Sequence, residues 1–401
     1  MSFILGLVSA AVLMFLALVS AYQWGFALIS LLWPRFRSHG SEGAAVKFLI
    51  MIPAHNEEVG LPDTLTSIAA VQYPRELLDV LVVADRCTDA TNRVAREAGV
   101  ICFERIRGEG VKGAAVAWGI QEASRNGLKF DALIILDADT RMNPELLNAF
   151  SKGICQGHKV QQAFNYLSNP WETAFTRVIA VTSMLKNGLF YTGKSLIGLS
   201  GMLQGTGMCL ERAIVEQYGW NAFSVGEDWE FSVSLFLAGE RIYFNPDAMI
   251  YARESSGVRQ ASRQRLRWAT GRYAVTGTGV WRLIRKGVEK RSVLLLDAAV
   301  TLLCPNYSTQ ASLALMSCAV TWYLRSYEVW MALFPISVAL AVSLAAFFAL
   351  GILKTESPLR ALAGIPFMLI FLPWRLGIEI LGLLGFGRKD WGRSARDTSR
   401  P

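Results

Sequence analysis

Asp137-Ala138-Asp139 closes an apolar run, Ala132-Leu133-Ile134-Ile135-Leu136. Two carboxylates at the tip of a buried strand offer hard oxygen donors. Such donors suit a divalent cation and, through it, phosphate oxygens. The same setting recurs twice. Asp85 ends the strand-like run 79–84, apolar from Val80 onward, and Glu57 and Glu58 follow the run 47–52 and Pro53. Singly, each reads equally well as an ordinary strand-to-helix turn, with Asn56 or Asp85 capping the next helix and Glu57 and Glu58 in its first turn. Three acidic strand ends in one sheet are a stronger signal than any one of them.

Other residues could join that chemistry. Lys112 follows Arg107-Gly108-Glu109-Gly110, and a lysine on a glycine-rich approach to a helix can reach phosphate; the plainer reading is a solvated loop lysine. Gly205-Thr206-Gly207 lets another molecule approach backbone closely, or simply makes a tight turn. Glu227-Asp228 reads as a general base beside a carboxylate that adjusts its pKa, or as two acids favouring a helix start. Gln264-Arg265-Leu266-Arg267-Trp268 lies in a basic, helix-prone stretch, 259–272. An interfacial helix gripping anionic lipid explains the stretch as a whole, but not Gln, Arg and Trp together.

Short apolar runs at 47–52, 79–84 and 132–136 alternate with helical patterns such as 111–124 and 229–238. That alternation predicts a mostly parallel α/β sheet, whose ligands bind beyond the carboxyl ends of the strands. Around this region charge almost vanishes. Residues 2–34 and 329–353 are uncharged and long enough to span a bilayer, and 298–324 is another apolar region, carrying a span near 303–324. The stretch 361–374 holds two prolines and is followed by Arg375 and Glu379, which predicts a re-entrant or interfacial segment at 361–384. Arg35, Arg37 and the basic tail 388–401 put residue 35 onward and the tail in the cytoplasm, with the N-terminus outside. The predicted parts are a membrane helix at 1–34, a cytoplasmic domain at 35–285 with an interfacial helix at 258–285, and a membrane region at 286–401.

Composition narrows the class. An apolar fraction of 52% over 401 residues is too high for a purely soluble protein. A net charge of +8 suits anionic headgroups, and no long basic run with interleaved aromatics points to nucleic acid. Six scattered cysteines and three dispersed histidines leave no zinc pattern and fit a reduced, cytosol-facing protein.

In order, the chain carries P-A-H-N-E, D-x-C-T-D, V-K-G, D-A-D, G-T-G, E-D and Q-R-L-R-W. This ordered set resembles the membrane-integrated glycosyltransferases of family 2, which include cellulose, chitin and hyaluronan synthases. The resemblance covers roughly residues 46–285. It implies a Rossmann-like GT-A catalytic domain flanked by transmembrane helices, and an inverting, hexosyltransferase-type enzyme in the inner (cell) membrane. It implies that Ala54, Glu57 and Asp85 contact the nucleotide base and ribose, that Lys112 approaches the base or diphosphate, and that Asp137 holds the nucleotide. Asp139, with Asp137, would ligate Mg²⁺ or Mn²⁺. Gly205, Thr206, Gly207 and Glu227 would line the acceptor pocket, and Asp228 would be the catalytic base. Gln264, Arg267 and Trp268 would close over the donor diphosphate. The expected partners are a nucleotide sugar, most simply a UDP-sugar, a lipid-linked or glycan acceptor, and membrane lipids. Synthases that extrude polymer usually have more spans than this chain, which favours transfer of one or few sugars over processive β-glycan synthesis. A transporter or non-catalytic membrane binding protein is the reading from another class; the near absence of charge inside the spans argues against a transport path.

Overall fold

The computed structural model describes residues 2–33, 45–255 and 257–387. Arg35, Arg37 and the tail 388–401, which carry the topology expectation, lie outside the described residues.

The apolar runs become strands of one sheet. β1 (Phe48–Ala54), β2 (Leu78–Asp85), β3 (Ile101–Arg105) and β4 (Ala132–Ile135) are followed by β5 (Thr140–Met142), β6 (Val160–Leu167), β7 (Met208–Glu211) and β8 (Ile242–Ala252). Their order is β3-β2-β1-β4-β7-β6-β8-β5. The first four run parallel, as do β6 and β8. β7 runs antiparallel to both β4 and β6, and β5 antiparallel to β8. The sheet is therefore mixed, with its parallel half at the amino end of the chain. β1 and β4 are buried along their whole length, as strands covered on both faces must be. Phe48, Ile50, Ile52, Ile134, Leu136 and Phe150 anchor the core beneath them.

Pro53 does not end β1 but lies inside it, opposite Val83 of β2. The reason is local: β4 pairs with β1 only as far as Met51, so no neighbour on that side needs an N–H at position 53. From β1 the chain builds β2 and β3 to one side, then returns to place β4 on the other. This reversal opens a crevice at the carboxyl ends of β1, β2 and β4, the usual ligand position in such sheets.

The described residues form two compact units: those within 45–169, 197–302 and 381–387 make up the sheet unit, and 2–33, 170–196 and 303–380 make up a helical one. Residues 170–196 were expected to belong with the catalytic domain. They form the helix Ala174–Ser183, a π-helical stretch Met184–Tyr191 and the helix Thr192–Leu196. Val181, Leu185 and Leu189 bury themselves with Ala27, Phe347 and Phe348, which explains their grouping. Three helical runs among the described residues are long and apolar enough to cross a membrane: Ser2–Leu32, Glu328–Leu353 and Pro358–Leu383. The last overlaps the segment 361–384, expected to be re-entrant or interfacial. Its charges are hidden, since buried Arg375 pairs with Glu379 at 2.6 Å and Asn306 donates to the same carboxylate at 3.0 Å. The expected span near 303–324 appears as the helix Tyr307–Leu324, which is not one of the three. It buries Ser308, Thr309, Gln310, Ser312, Ser317 and Thr321, with Thr321 bonded to Ser337 at 2.8 Å.

Candidate active site

The ends of β1 and β2 leave their strands through left-handed backbone, at Asn56 (φ 57°) and Arg86 (φ 49°). Few non-glycine residues adopt this conformation, and asparagine does so most readily. It turns the Asn56 amide away from the next helix, where a cap was expected. The helix starts only at Leu61, and Asn56 Oδ1 accepts from the Thr88 N–H at 2.7 Å. Glu57 and Glu58 therefore lie in the turn rather than in a helix. The Glu57 N–H donates to Thr91 Oγ1 at 2.8 Å, and Glu58 Oε2 accepts from the Ala90 N–H at 3.0 Å. P-A-H-N-E and D-x-C-T-D are thus one knitted structure. Ala54 and Asp85 are fully buried within it. Asp85 accepts from Arg105 Nη1 at 2.5 Å and from Arg86 Nε at 3.0 Å. Arg105 was not singled out from sequence; the available signal is a cation ending the strand in register with Asp85.

Lys112 opens the helix Lys112–Arg125 and points into the crevice. Its ammonium donates to Asp137 Oδ1 at 2.5 Å and to the Gly205 carbonyl at 2.6 Å, and lies 3.8 Å from Glu227 Oε1. Burial disfavours this ammonium, but the carboxylates of Asp137 and Glu227 outweigh it and hold the lysine above its ordinary pKa. Glu227 begins the helix Glu227–Ala238 and is buried. Burial pushes its carboxyl up to about 7, against the pull of Lys112 and with the repulsion of Asp228. Asp228 is half-buried beside it. A Cβ at Gly205 would sit 3.6 Å from Asp228 Oδ2 and 3.7 Å from Lys112 Nζ, so the carboxylate and the ammonium border the same glycine. Asp139 is half-buried two residues beyond Asp137.

Gly205 (φ 81°) and Gly207 (φ 65°) need the left-handed backbone that glycine supplies, and a Cβ on Gly207 would strike Ile250. Between them Thr206 is buried, and its hydroxyl accepts from the Asp137 N–H at 3.0 Å. G-T-G is thereby tied to D-A-D. A residue missed from sequence, Gln162 of β6, holds the loop from behind. Its Nε2 donates to the Thr206 carbonyl at 2.9 Å and its Oε1 accepts from the Gln204 N–H at 2.8 Å. The signal was present: two adjacent glutamines, Gln161 and Gln162, both fully buried, inside a strand whose only other amide side chain is Asn165. Gln162→Ala strands those two backbone groups and is expected to cost about 1–3 kcal/mol of stability. Thermal denaturation alongside exposed Gln121→Ala, expected within about 0.5 kcal/mol of the parent, checks this.

Q-R-L-R-W lies on the helix Val258–Glu289. This helix closes on the start of Glu227–Ala238 through two glycines: a Cβ on Gly271 would lie 2.7 Å from the Gly226 nitrogen. Burial lowers the pKa of the Arg267 guanidinium, while the carboxylates of Glu227 and Asp137 act in the opposite direction, so Arg267 belongs to the same charge cluster. Gln264 is half-buried and Trp268 is 45% exposed. Arg265, inside the motif, is not in that cluster. It is buried, pairs with Glu254 at 2.9 Å, and its guanidinium lies 5.9 Å from the Trp268 ring. The structure therefore gathers Lys112, Asp137, Gly205, Glu227, Asp228 and Arg267 at one place. Ala54, Glu57 and Asp85 stand at the neighbouring strand ends.

The description "Glycosyltransferase like family 2" matches residues 45–271, from just before β1 through Q-R-L-R-W. The chain belongs to glycosyltransferase family 2. This family 2 chain is 28% identical over 250 residues to a probable glycosyltransferase, YdaM, of Bacillus subtilis, covering 59% of this chain and 57% of the relative. It is 22% identical over 276 residues to a poly-β-1,6-N-acetyl-D-glucosamine synthase of Staphylococcus epidermidis, covering 65% and 62%. A probable glucomannan 4-β-mannosyltransferase of Arabidopsis thaliana is 23% identical over 260 residues, covering 60% and 48%. The match thus spans less than two thirds of these relatives' lengths. Among solved structures, the mannosyltransferase PcManGT of Pyrobaculum calidifontis, in complex with GDP-Man and Mn²⁺, superposes with a TM-score of 0.52 at 16% identity, covering 94% of this chain and 97% of that one. At that identity the likeness establishes the fold alone. The family 2 chain thus has the GT-A fold, a mixed, mostly parallel α/β sheet, together with long apolar helices near both ends.

Proposed function

We propose that this enzyme moves a hexose from a nucleotide sugar, most simply a UDP-sugar, to a membrane-associated lipid or glycan acceptor, inverting the anomeric centre. One observation carries the reading: Lys112, Asp137, Glu227, Asp228 and Arg267 converge in the crevice where the strand order reverses. Two cations suit a diphosphate, and a half-buried carboxylate beside them suits a hydroxyl that must lose a proton. The names of the relatives, all glycosyltransferases or polysaccharide synthases, support it.

The acceptor hydroxyl attacks the anomeric carbon and gives its proton to Asp228. The bond from that carbon to the diphosphate oxygen breaks as the new glycosidic bond forms on the opposite face. Lys112 and Arg267 meet the charge that accumulates on the leaving diphosphate. Ala54, Glu57 and Asp85 hold the base and ribose, and Gln264 and Trp268 close over the donor. Gly205, Thr206, Gly207 and Glu227 border the acceptor pocket. The donors available for a metal fit a hard cation: Asp137 and Asp139 are oxygen ligands at one strand end. No group of three or more His, Cys, Asp or Glu among the described residues could hold a metal. Asp137 and Asp139 would hold Mg²⁺ or Mn²⁺, and the ion, when bound, would supply Lewis-acid neutralisation of the leaving group. PcManGT was solved with Mn²⁺, which supports this choice.

The membrane reading rests on the three long apolar helices. We place the chain in the inner membrane with the catalytic unit on the cytoplasmic side, where nucleotide sugars are made. Purified protein should release nucleoside diphosphate from one or few members of a nucleotide-sugar panel, in the presence of membrane lipid. With labelled donor, the product should be short and lipid-extractable. No diphosphate release from any donor would remove the proposal, and a high-molecular-weight polymer would shift it to processive synthesis, which the similarity to polysaccharide synthases favours.

A further inference from the structure

Arg265 is a buried cation inside Q-R-L-R-W to which the proposed reaction gives no task. It shares a face of its helix with Ala261 and Ala269, four residues to either side, both buried and small enough to leave it room. Its guanidinium reaches back to Glu254, two residues past β8, at 2.9 Å, and only 10% and 12% of the two side chains is exposed. Glu254 is itself fastened. Asn169, two residues past β6, accepts from the Glu254 N–H at 2.9 Å and donates to the Glu254 carbonyl at 3.0 Å. Since β6 and β8 are parallel neighbours, this amide continues their pairing beyond the strand ends. Arg267 follows two residues after Arg265, about 200° around the helix. It shares its face with Gly271, four residues on, and Gly271 meets the Gly226 backbone beside Glu227. Within one turn the helix thus turns one arginine to the strand ends and another to the reacting groups.

We propose that Glu254 and Arg265 are positioning residues: their ion pair fixes the rotation of the helix Val258–Glu289 about its axis, and so sets where Arg267 meets the leaving diphosphate. Neither side chain touches the donor in this role. The contact of Gly271 with Gly226 brings the helix close but has no side chain to stop it turning. The ion pair supplies the stop, because a buried charge separated from its counter-charge is left uncompensated. Asn169 gives that stop a rigid base, since it holds the Glu254 backbone by both its N–H and its carbonyl. A misplacement of about 1 Å in a group that stabilises the transition state costs up to about 10²-fold in rate. This inference rests on the proposed transfer from a nucleotide sugar and adds two residues to it.

The test is a double-mutant cycle on the full chain in lipid, followed by single-turnover kinetics with labelled nucleotide sugar. Glu254→Gln keeps the size of the side chain and the bonds of its backbone to Asn169, and removes the charge that anchors Arg265. It should lower kcat by about 10–10²-fold and shift the donor dissociation constant by less than about threefold, since Lys112 still meets the diphosphate. In an Arg267→Gln background the same substitution should lower kcat by less than about twofold, because the group it positions is gone. Equal losses in both backgrounds overturn the proposal, as they mark a pair that merely supports the fold. An unchanged kcat in Glu254→Gln overturns it as well. The Arg265 guanidinium also lies 5.9 Å from the Trp268 ring, so a loss confined to donor affinity would assign the pair to Trp268 and overturn its action through Arg267. Should Glu254→Gln fail to fold, Glu254→Asp, which keeps the charge and withdraws it by one methylene, carries the same comparison. If the parent turns over no nucleotide sugar, the transfer reading itself has failed instead.

Discussion

Replacing Asp228 by Asn should lower turnover by about 10²–10⁴ while leaving nucleotide-sugar affinity nearly unchanged. Asn keeps the size of the side chain and removes its ability to take a proton. The carboxylate borders Gly205 beside the Lys112 ammonium, so it stands next to the proposed diphosphate position without being one of the groups assigned to hold it. Glu227 offers the contrast. It is the buried member of the pair, lies 3.8 Å from Lys112, and has a carboxyl raised to about 7. Glu227→Gln removes a counter-charge of Lys112 and should weaken donor binding as well as slow the reaction. Steady-state kinetics combined with donor titration separate the two variants. Near-normal turnover of Asp228→Asn would transfer the base role elsewhere, with Glu227 the first candidate.

The second large effect concerns the cation. Dialysis against EDTA should reduce activity by at least about 10²-fold, and Mg²⁺ or Mn²⁺ should restore it, since neutralising a leaving diphosphate is worth several kcal/mol. Asp139→Asn should raise the metal concentration needed for half-maximal activity. The argument rests on the ligands available: Asp137 and Asp139 share one strand end, and Asp137 already bonds Lys112 at 2.5 Å, so an added cation and the lysine share one carboxylate. Full activity in chelator would remove the assignment of these two aspartates.

Much of this site could be read from sequence because its residues sit where strands end. Alternating apolar and polar texture locates strand ends well, and an acid at such a point needs no long-range information to be noticed. Lys112 and Asp228 were legible for the same reason, each standing at a helix start. What escaped depends on partners distant in the chain. Pro53 sits inside β1 only because β4 is short, which nothing near residue 53 records. Asn56 was expected to cap a helix, and instead takes its bond from Thr88. Gln162 matters through a loop 42 residues further on. Residues 170–196 carry charges and turns like those of the surrounding domain. Only their contacts with Ala27 and Phe347 reveal that they pack with the apolar helices.

The polar face of the helix Tyr307–Leu324 has a consequence for how the protein is made. In lipid, a helix carrying Ser308, Thr309, Gln310, Ser312, Ser317 and Thr321 would present hydroxyls and an amide to hydrocarbon unless a partner covered them. Here those groups are buried, and Thr321 finds Ser337 on the helix Leu333–Leu353. The Tyr307 hydroxyl reaches the Leu344 carbonyl of that same helix at 2.8 Å. The two helices therefore suit insertion as a hairpin, with the more apolar second one carrying the first. A ribosome stalled before Leu333–Leu353 has emerged should hold a segment that prefers the translocation channel to the bilayer. Its release into lipid would wait for the second helix to arrive.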